Sequence, residues 1–193
     1  EKVLTKKLSE KDKEATTGYI KINWSAAEIS KEMGTISVEN KTDIPNYGSV
    51  YWQYFENLEN IKSDSTKVLS IIKNVYKKIK TTSGNELVEL SKENLKPGDL
   101  VTIQLIIKTE NDLEFVHLKD LRASCFEPVD VISEYKWKNG LGYYQSTKDI
   151  ATHFFFDTIK TGTYVLEYDV RINNSGSFND GIATLQSMYA PEF

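Results

Sequence analysis

The sequence predicts an all-β protein, an antiparallel β-sandwich with a short N-terminal β extension, and three observations carry that prediction. Apolar and polar residues alternate at a two-residue period through many short segments. Turn-forming residues separate these segments at roughly 8–12-residue spacing, the rhythm of sandwiches and barrels. The chain also holds 11 Tyr, 8 Phe and 3 Trp, which need an interior to pack in.

Taken in order, Tyr19–Trp24, Thr35–Glu39 and Ser49–Phe55 alternate as short strands. Asn40–Gly48, with Pro45 and Gly48, is the weakest point of the pattern. It divides residues 1–47, the end of a preceding β domain or an N-terminal extension, from a main domain over 48–193. Residues 1–47 are too few to hold a core by themselves. Tyr51, Trp52, Tyr54 and Phe55 put aromatic rings on both faces of their strand, as where a strand is covered on both sides at a domain junction. Lys67–Lys80 fits two periods. Leu69, Ile72, Val75, Tyr76 and Ile79 make a helical stripe, whereas Leu69, Ile71, Val75 and Ile79 make a strand face interrupted by Lys73 and Lys77. Periodicity does not choose between them, and on residues alone the helix fits marginally better.

Lys96-Pro97-Gly98-Asp99 reads as a type II turn, because Pro fixes φ at the first central position and Gly tolerates positive φ at the second. It launches the clearest strand, Leu100–Lys108, with Val101, Ile103, Leu105 and Ile107 on one face. Glu114–Lys119 and Ala151–Asp157 follow. Thr163–Ile172 places Tyr164, Leu166, Tyr168, Val170 and Ile172 on one side. After the loop Asn173–Ser177, Gly181–Met188 reads as the return strand of a hairpin. No internal repeat or low-complexity linker is present.

The totals bound the function. A chain of 193 residues can bury a real core. Its net charge of −4, with no basic stripe, leaves no footprint for nucleic acid. No run approaches the ~18 apolar residues of a membrane span. The first 14 residues, rich in Lys, Glu and Asp, form a solvated terminus. A start at Glu1 leads us to expect a processed or excised piece of a longer protein. One cysteine, Cys125, rules out an internal disulfide framework and a cysteine-rich zinc site.

Catalytic chemistry is not expected. His117 and His153 are the two histidines, and neither has His or Cys at metal-ligand spacing, so both read as satisfied structural residues rather than a metal site. No Gly-x-Ser-x-Gly elbow accompanies them, and Asn139-Gly140-Leu141-Gly142 has too few glycines and the wrong setting for a phosphate loop. No cofactor is implied. Aromatics offer the stronger reading. Trp137, Tyr143 and Tyr144 lie in a polar stretch, where rings either cover the open end of the sandwich or stack on a sugar or a partner. A carbohydrate-binding or adhesive module of an exported protein therefore stands as one alternative.

Five blocks in order carry a resemblance. They are Val50–Leu58, Leu95–Asp99, Glu114–Asp120, Arg122–Val129 and Gln186–Glu192. Together they resemble the C-terminal end of bacterial α2-macroglobulins, especially the large Bacteroidetes-type forms, from about residue 48 onward. Residues 15–47 resemble the strands just upstream, less specifically. The resemblance implies a macroglobulin-like, immunoglobulin-like sandwich, similar in fold to the eukaryotic receptor-binding domain, and it turns Lys67–Lys80 into a strand. It implies a periplasmic or surface protein, with a lipid anchor in some forms, that traps proteases through a thioester domain elsewhere in the chain. The terminal sandwich would pack on that domain and keep water from the thioester, with Met188 and Tyr189 in the binding loop. The family's thioester motif, Cys-x-Glu-Gln, is missing here: Cys125-Phe126-Glu127-Pro128 ends in Pro, which has no acyl group to give. Cys125 stands where relatives carry a small residue, which implies a buried substitution. Relatives also continue past the Met-Tyr-x-Pro-Glu stretch into a closing strand.

Overall fold

A computed structural model of the protein describes residues 6–63, 65–66, 68–90 and 94–189. The chain divides between Gln53 and Tyr54 into two compact units. Among its described residues the first unit holds two 3-10 turns, Glu10–Asp12 and Lys31–Gly34, and no strand. Its turns are fixed locally: Ser9 and Ser25 each donate to an acid three residues on, Asp12 and Glu28.

The second unit is the sandwich. One sheet runs β2 (Gly84–Glu89), β1 (Leu69–Thr81), β3 (Leu100–Thr109), β9 (Gly162–Ile172) and β5 (Phe126–Pro128). The other runs β10 (Ala183–Ser187), β4 (Leu113–Leu121), β8 (Ala151–Ile159), β7 (Leu141–Thr147) and β6 (Glu134–Lys138). Every pairing is antiparallel. No helix among the described residues is long and apolar enough to cross a membrane.

The core follows from the alternation. Val101, Ile103, Leu105 and Ile107 on β3 and Leu166, Tyr168, Val170 and Ile172 on β9 are buried. They join Val116, Leu118, Phe154, Phe156, Ile159 and Tyr143 of the second sheet in one cluster. The turn before β3 is as expected, with Gly98 at φ 93° and Asp99 N–H donating to Lys96 O at 3.0 Å. Within Lys67–Lys80, of which Lys67 lies outside the described residues, the chain from Leu69 on is strand β1, where β3 and β2 supply partners on both sides and override the helical stripe.

Three expectations fail. Residues 19–24, 35–39 and 49–55 form no strand. Alternation creates a β face only where a neighbouring edge takes up the backbone hydrogen bonds, and among the described residues these segments pair with no strand. Tyr51, Trp52, Tyr54 and Phe55 are accordingly exposed rather than covered on two sides. The segment after β9 does not return as a hairpin. Residues 173–182 cross the sandwich, and β10 pairs with β4 in the opposite sheet. The loop is long enough to span two packed sheets, and the free edge of β4 accepts the strand. Lys73 of β1 holds this crossing, its Nζ donating to Leu121 O, Gly181 O and Asp180 Oδ1 at 2.8–3.0 Å.

Candidate functional site

Strands β4 and β8 each spend one extra residue at the same level. Inward positions fall at Leu113 and Val116 on β4 and at Phe156 and Ile159 on β8, three apart instead of two. Because both strands take the extra residue, the register stays constant, with Glu114 opposite Thr158 and Val116 opposite Phe156. Phe115 absorbs the irregularity at φ 51°, a left-handed conformation uncommon for a bulky side chain.

Phe115 thereby points outward and becomes a support. Its carbonyl accepts the Met188 N–H at 2.9 Å, just past the end of β10. Its ring meets Tyr189 edge to face, with centroids 5.2 Å apart and planes at 89°. Met188 is 54% exposed, Tyr189 79% and Phe115 46%. The sequence-predicted pair therefore lies on the surface, carried by a strained residue that sequence reasoning missed. Strain of this kind costs about 1–3 kcal/mol and collects at functional positions. Ala190 and the residues after it fall outside the described part of the chain.

Beside this patch an aromatic row crosses the outer face of the sheet. Tyr135 pairs with Tyr144, Tyr144 with Phe155, Phe155 with His117 and His117 with Gln186. His117 stacks on Phe155 at 4.6 Å, and Tyr135 leans on Tyr144 at 5.4 Å. The Tyr135 hydroxyl donates to Asp157 at 3.3 Å, and that carboxylate pushes the phenol pKa up. Trp137, 79% exposed, flanks the row over Gly142, where a Cβ would sit 2.6 Å from the indole.

The three aromatics read together in the sequence separate here. Trp137 is at the surface, Tyr144 is half-buried, and Tyr143 sits in the core against Phe154 and Phe156. Asn139 and Gly140, with φ of 54° and 77°, form the two-residue turn of the β6–β7 hairpin that separates them. Asn-Gly is a strong hairpin signal, and it would have given this pairing from sequence. Cys125 is buried, and desolvation pushes its thiol pKa up, as expected of a substitution inside the core. The two histidines, read as satisfied structural residues, are brought together: His117 Nε2 lies 2.9 Å from His153 Nδ1. Among the described residues no group of three or more His, Cys, Asp or Glu is placed to hold a metal.

Comparison with known proteins gives a consistent assignment. The sandwich resembles Salmonella α2-macroglobulin reacted with methylamine, at 17% identity and a TM-score of 0.52 over 68% of this chain and 9% of that one. It resembles Escherichia coli α2-macroglobulin activated by porcine elastase at 17% identity and 0.53, over 69% of this chain and 13% of that one. Native E. coli α2-macroglobulin spanning domain MG7 to the C-terminus gives 18% identity and 0.51, over 67% and 22%. At this identity the likeness is one of fold, and the chain spans a small share of each relative's length. No curated protein matches the chain. The model of the bacterial α2-macroglobulin MG10 domain matches residues 69–192. That match takes in the whole sandwich, and the chain belongs to the bacterial α2-macroglobulin MG10 domain family.

Proposed function

We propose that this chain is a non-catalytic C-terminal part of a bacterial α2-macroglobulin, a protease-trapping inhibitor of the periplasm or cell surface. In this reading residues 48–193 dock on a thioester domain carried elsewhere in the protein, and residues 1–47 end the preceding domain. The observation that carries the reading is the Met188–Tyr189 pair, held outward by Phe115. An adaptable thioether and a large ring, presented at a strand end, suit a surface that excludes water when it docks. The relatives lend support. One was activated by a protease, elastase, and another reacted with methylamine, an amine nucleophile of the kind that opens a thioester.

The double variant Met188→Ala/Tyr189→Ala in the full-length protein tests this, with thiol release followed over time. Faster thioester hydrolysis with an unchanged fold of the sandwich supports the shield, and an unchanged rate removes it. The exposed Tyr135 and Trp137 favour a second reading, a platform on which sugar rings stack. Glycan binding that is lost in Trp137→Ala and kept in the Met188/Tyr189 variant would favour that one.

A further inference from the structure

Strand β9 is paired along nearly its whole length on one side and only in part on the other. β3 pairs with it from Gly162 to Arg171, whereas β5 reaches only Val170, Arg171 and Ile172. In an antiparallel strand, successive residues direct both their backbone groups to alternate sides. Ile172 N–H donates to Asp99 O on the β3 side, and Asp169 O accepts the Val129 N–H on the β5 side. Thr163, Val165 and Glu167 share the parity of Asp169, so their N–H and C=O groups face the β5 side. Among the described residues no strand takes them up. Exposed edges are ordinarily guarded by Pro, by Lys or by a bulge. β5 carries Pro128, but residues 163–168 of β9 contain neither Pro nor Lys and keep an unbroken register with β3.

A cavity of about 360 Å3 opens beside this edge, between residues 167–169 of β9 and the β6–β7 hairpin. Gln145 and Tyr143 line it, each only 3% exposed. Among the described residues neither the Gln145 amide nor the Tyr143 hydroxyl has a hydrogen-bond partner. Buried polar groups are rarely left unpaired, so two on one wall point to a ligand. Lys136 and Lys138 stand opposite Tyr143 and Leu141, both buried, which puts the two lysines on the inner face of β6. Lys136 is paired with Asp130, and Lys78 across the cavity with Asp169. Lys138 has no ion-pair partner among the described residues. Burial pushes the Tyr143 phenol pKa up, so that hydroxyl stays a donor. An ammonium, a phenol O–H and an amide N–H are thus free to meet one acceptor, and a carboxylate complements their charge. Glu167, at the rim, turns its own carboxylate to the outer face and accepts from Gln104 there.

We propose that the open edge of β9 and this cavity bind an extended peptide, which adds a strand beside residues 163–167 and sends an acidic side chain to Lys138, Tyr143 and Gln145. Strand addition draws affinity from main-chain hydrogen bonds and selectivity from pockets for alternate side chains. The free backbone groups of Thr163, Val165 and Glu167 supply the first, and the cavity supplies the second. β6 and β10 are opposite edges of one sheet, so the site lies across the sandwich from the Met188–Tyr189 patch. The proposal does not rest on what that patch docks against.

Pools of acetylated, amidated pentapeptides, random except for a central Glu, Gln or Lys, titrated into the isotope-labelled chain test the site by NMR. The backbone amide signals of Val165 and Glu167 should move most with the Glu pool at millimolar concentration, less with Gln and least with Lys. Lys138→Ala should weaken binding of the Glu pool about tenfold, the worth of one hydrogen bond to a charged group, and leave the Gln pool unchanged. Val165→Pro removes an outward N–H without touching the β3 ladder, and should abolish binding of every pool. Near-ultraviolet circular dichroism checks both folds. Where Val165→Pro does not fold, the wild type and Lys138→Ala decide. Signals unmoved by every pool, or moved equally by the Glu and Lys pools, would overturn the site. Dimerisation of the wild type through the same amides would overturn it too, by making a second copy the occupant of the edge.

Discussion

Lys73 on β1 holds its ammonium 2.8 Å from Oδ1 of Asp120 on β4, so an ion pair joins the two sheets of the sandwich. Asp120 is fully buried and Lys73 nearly so. The approach to Oδ1 lacks hydrogen-bond geometry, because the ammonium donors go to Leu121 O, Gly181 O and Asp180. Oδ2 accepts the Tyr168 hydroxyl. Removing one partner of such a pair leaves the other charged in the core, at a cost of about 3–5 kcal/mol. Lys73→Ala should lose that much in urea unfolding. Lys73→Met/Asp120→Asn, which keeps an acceptor for Tyr168, should lose much less. Equal losses would show that packing, not charge, is what Lys73 provides.

The same carboxylate predicts a pH dependence. Burial pushes the Asp120 pKa above its ordinary 3.8, and Lys73 and the Tyr168 hydroxyl only partly offset this. A raised folded-state value means that the folded protein holds the proton more tightly than the unfolded chain. The contribution is fully present below the ordinary value and is lost as pH rises through the raised one. Compared with Asp120→Asn, which does not titrate, the wild type should therefore gain stability as pH falls from neutral. Urea midpoints of the two proteins across that interval check it, and a difference that stays flat or moves the other way contradicts the assignment.

Much of the sandwich was legible because β3 and β9 carry unbroken alternation bounded by turn residues, and burial then follows from a period of two. What failed depended on partners. Residues 19–24 alternate as cleanly as a strand, yet among the described residues no strand pairs with them. Lys73 spoiled the strand pattern of β1 because its charge is satisfied by Asp120, 47 positions away, and local periodicity cannot show that. In the candidate site, Met188 and Tyr189 were found through resemblance. Phe115 was invisible because its conformation arises where two strands each take an extra residue. The histidine contact depends on the β4–β8 register, which no local pattern encodes.

Gly181 should resist substitution for lack of space rather than for its backbone angle. A Cβ there would lie 2.4 Å from the Leu121 carbonyl oxygen, a backbone atom that also accepts from Lys73. Overpacking of this kind costs about 1–3 kcal/mol. Gly181→Ala should lower the thermal midpoint clearly. Gly48→Ala, which meets nothing within 4 Å, should leave it unchanged. Similar midpoints for both variants would mean that the crossing loop yields easily.

Cys125 should behave as a small buried hydrophobe. Its side chain lines the core beside Ala123 and Phe126, and burial raises its thiol pKa, so little thiolate forms. A thiol reagent should react slowly with the folded protein and rapidly in denaturant. Methylamine should release no thiol from this chain, because Pro128 stands where an acyl donor is needed. Rapid labelling of the native protein would place the thiol at the surface instead.

Phe115 separates the demands of folding from those of display. Its φ of 51° is unfavourable for any residue with a Cβ, by roughly 1–2 kcal/mol, and glycine escapes that cost. Phe115→Ala and Phe115→Gly both delete the ring that braces Tyr189, but only the second relieves the backbone. The glycine variant should therefore be the more stable of the two by about 1 kcal/mol in urea unfolding. Both should lose the ring-current shift that Phe115 imposes on Tyr189. In the full-length protein both should speed thioester hydrolysis equally, whatever their stability, if the strain is kept to present Tyr189. Hydrolysis rates that track stability instead would make Phe115 a folding residue and leave Tyr189 without a purpose-built support.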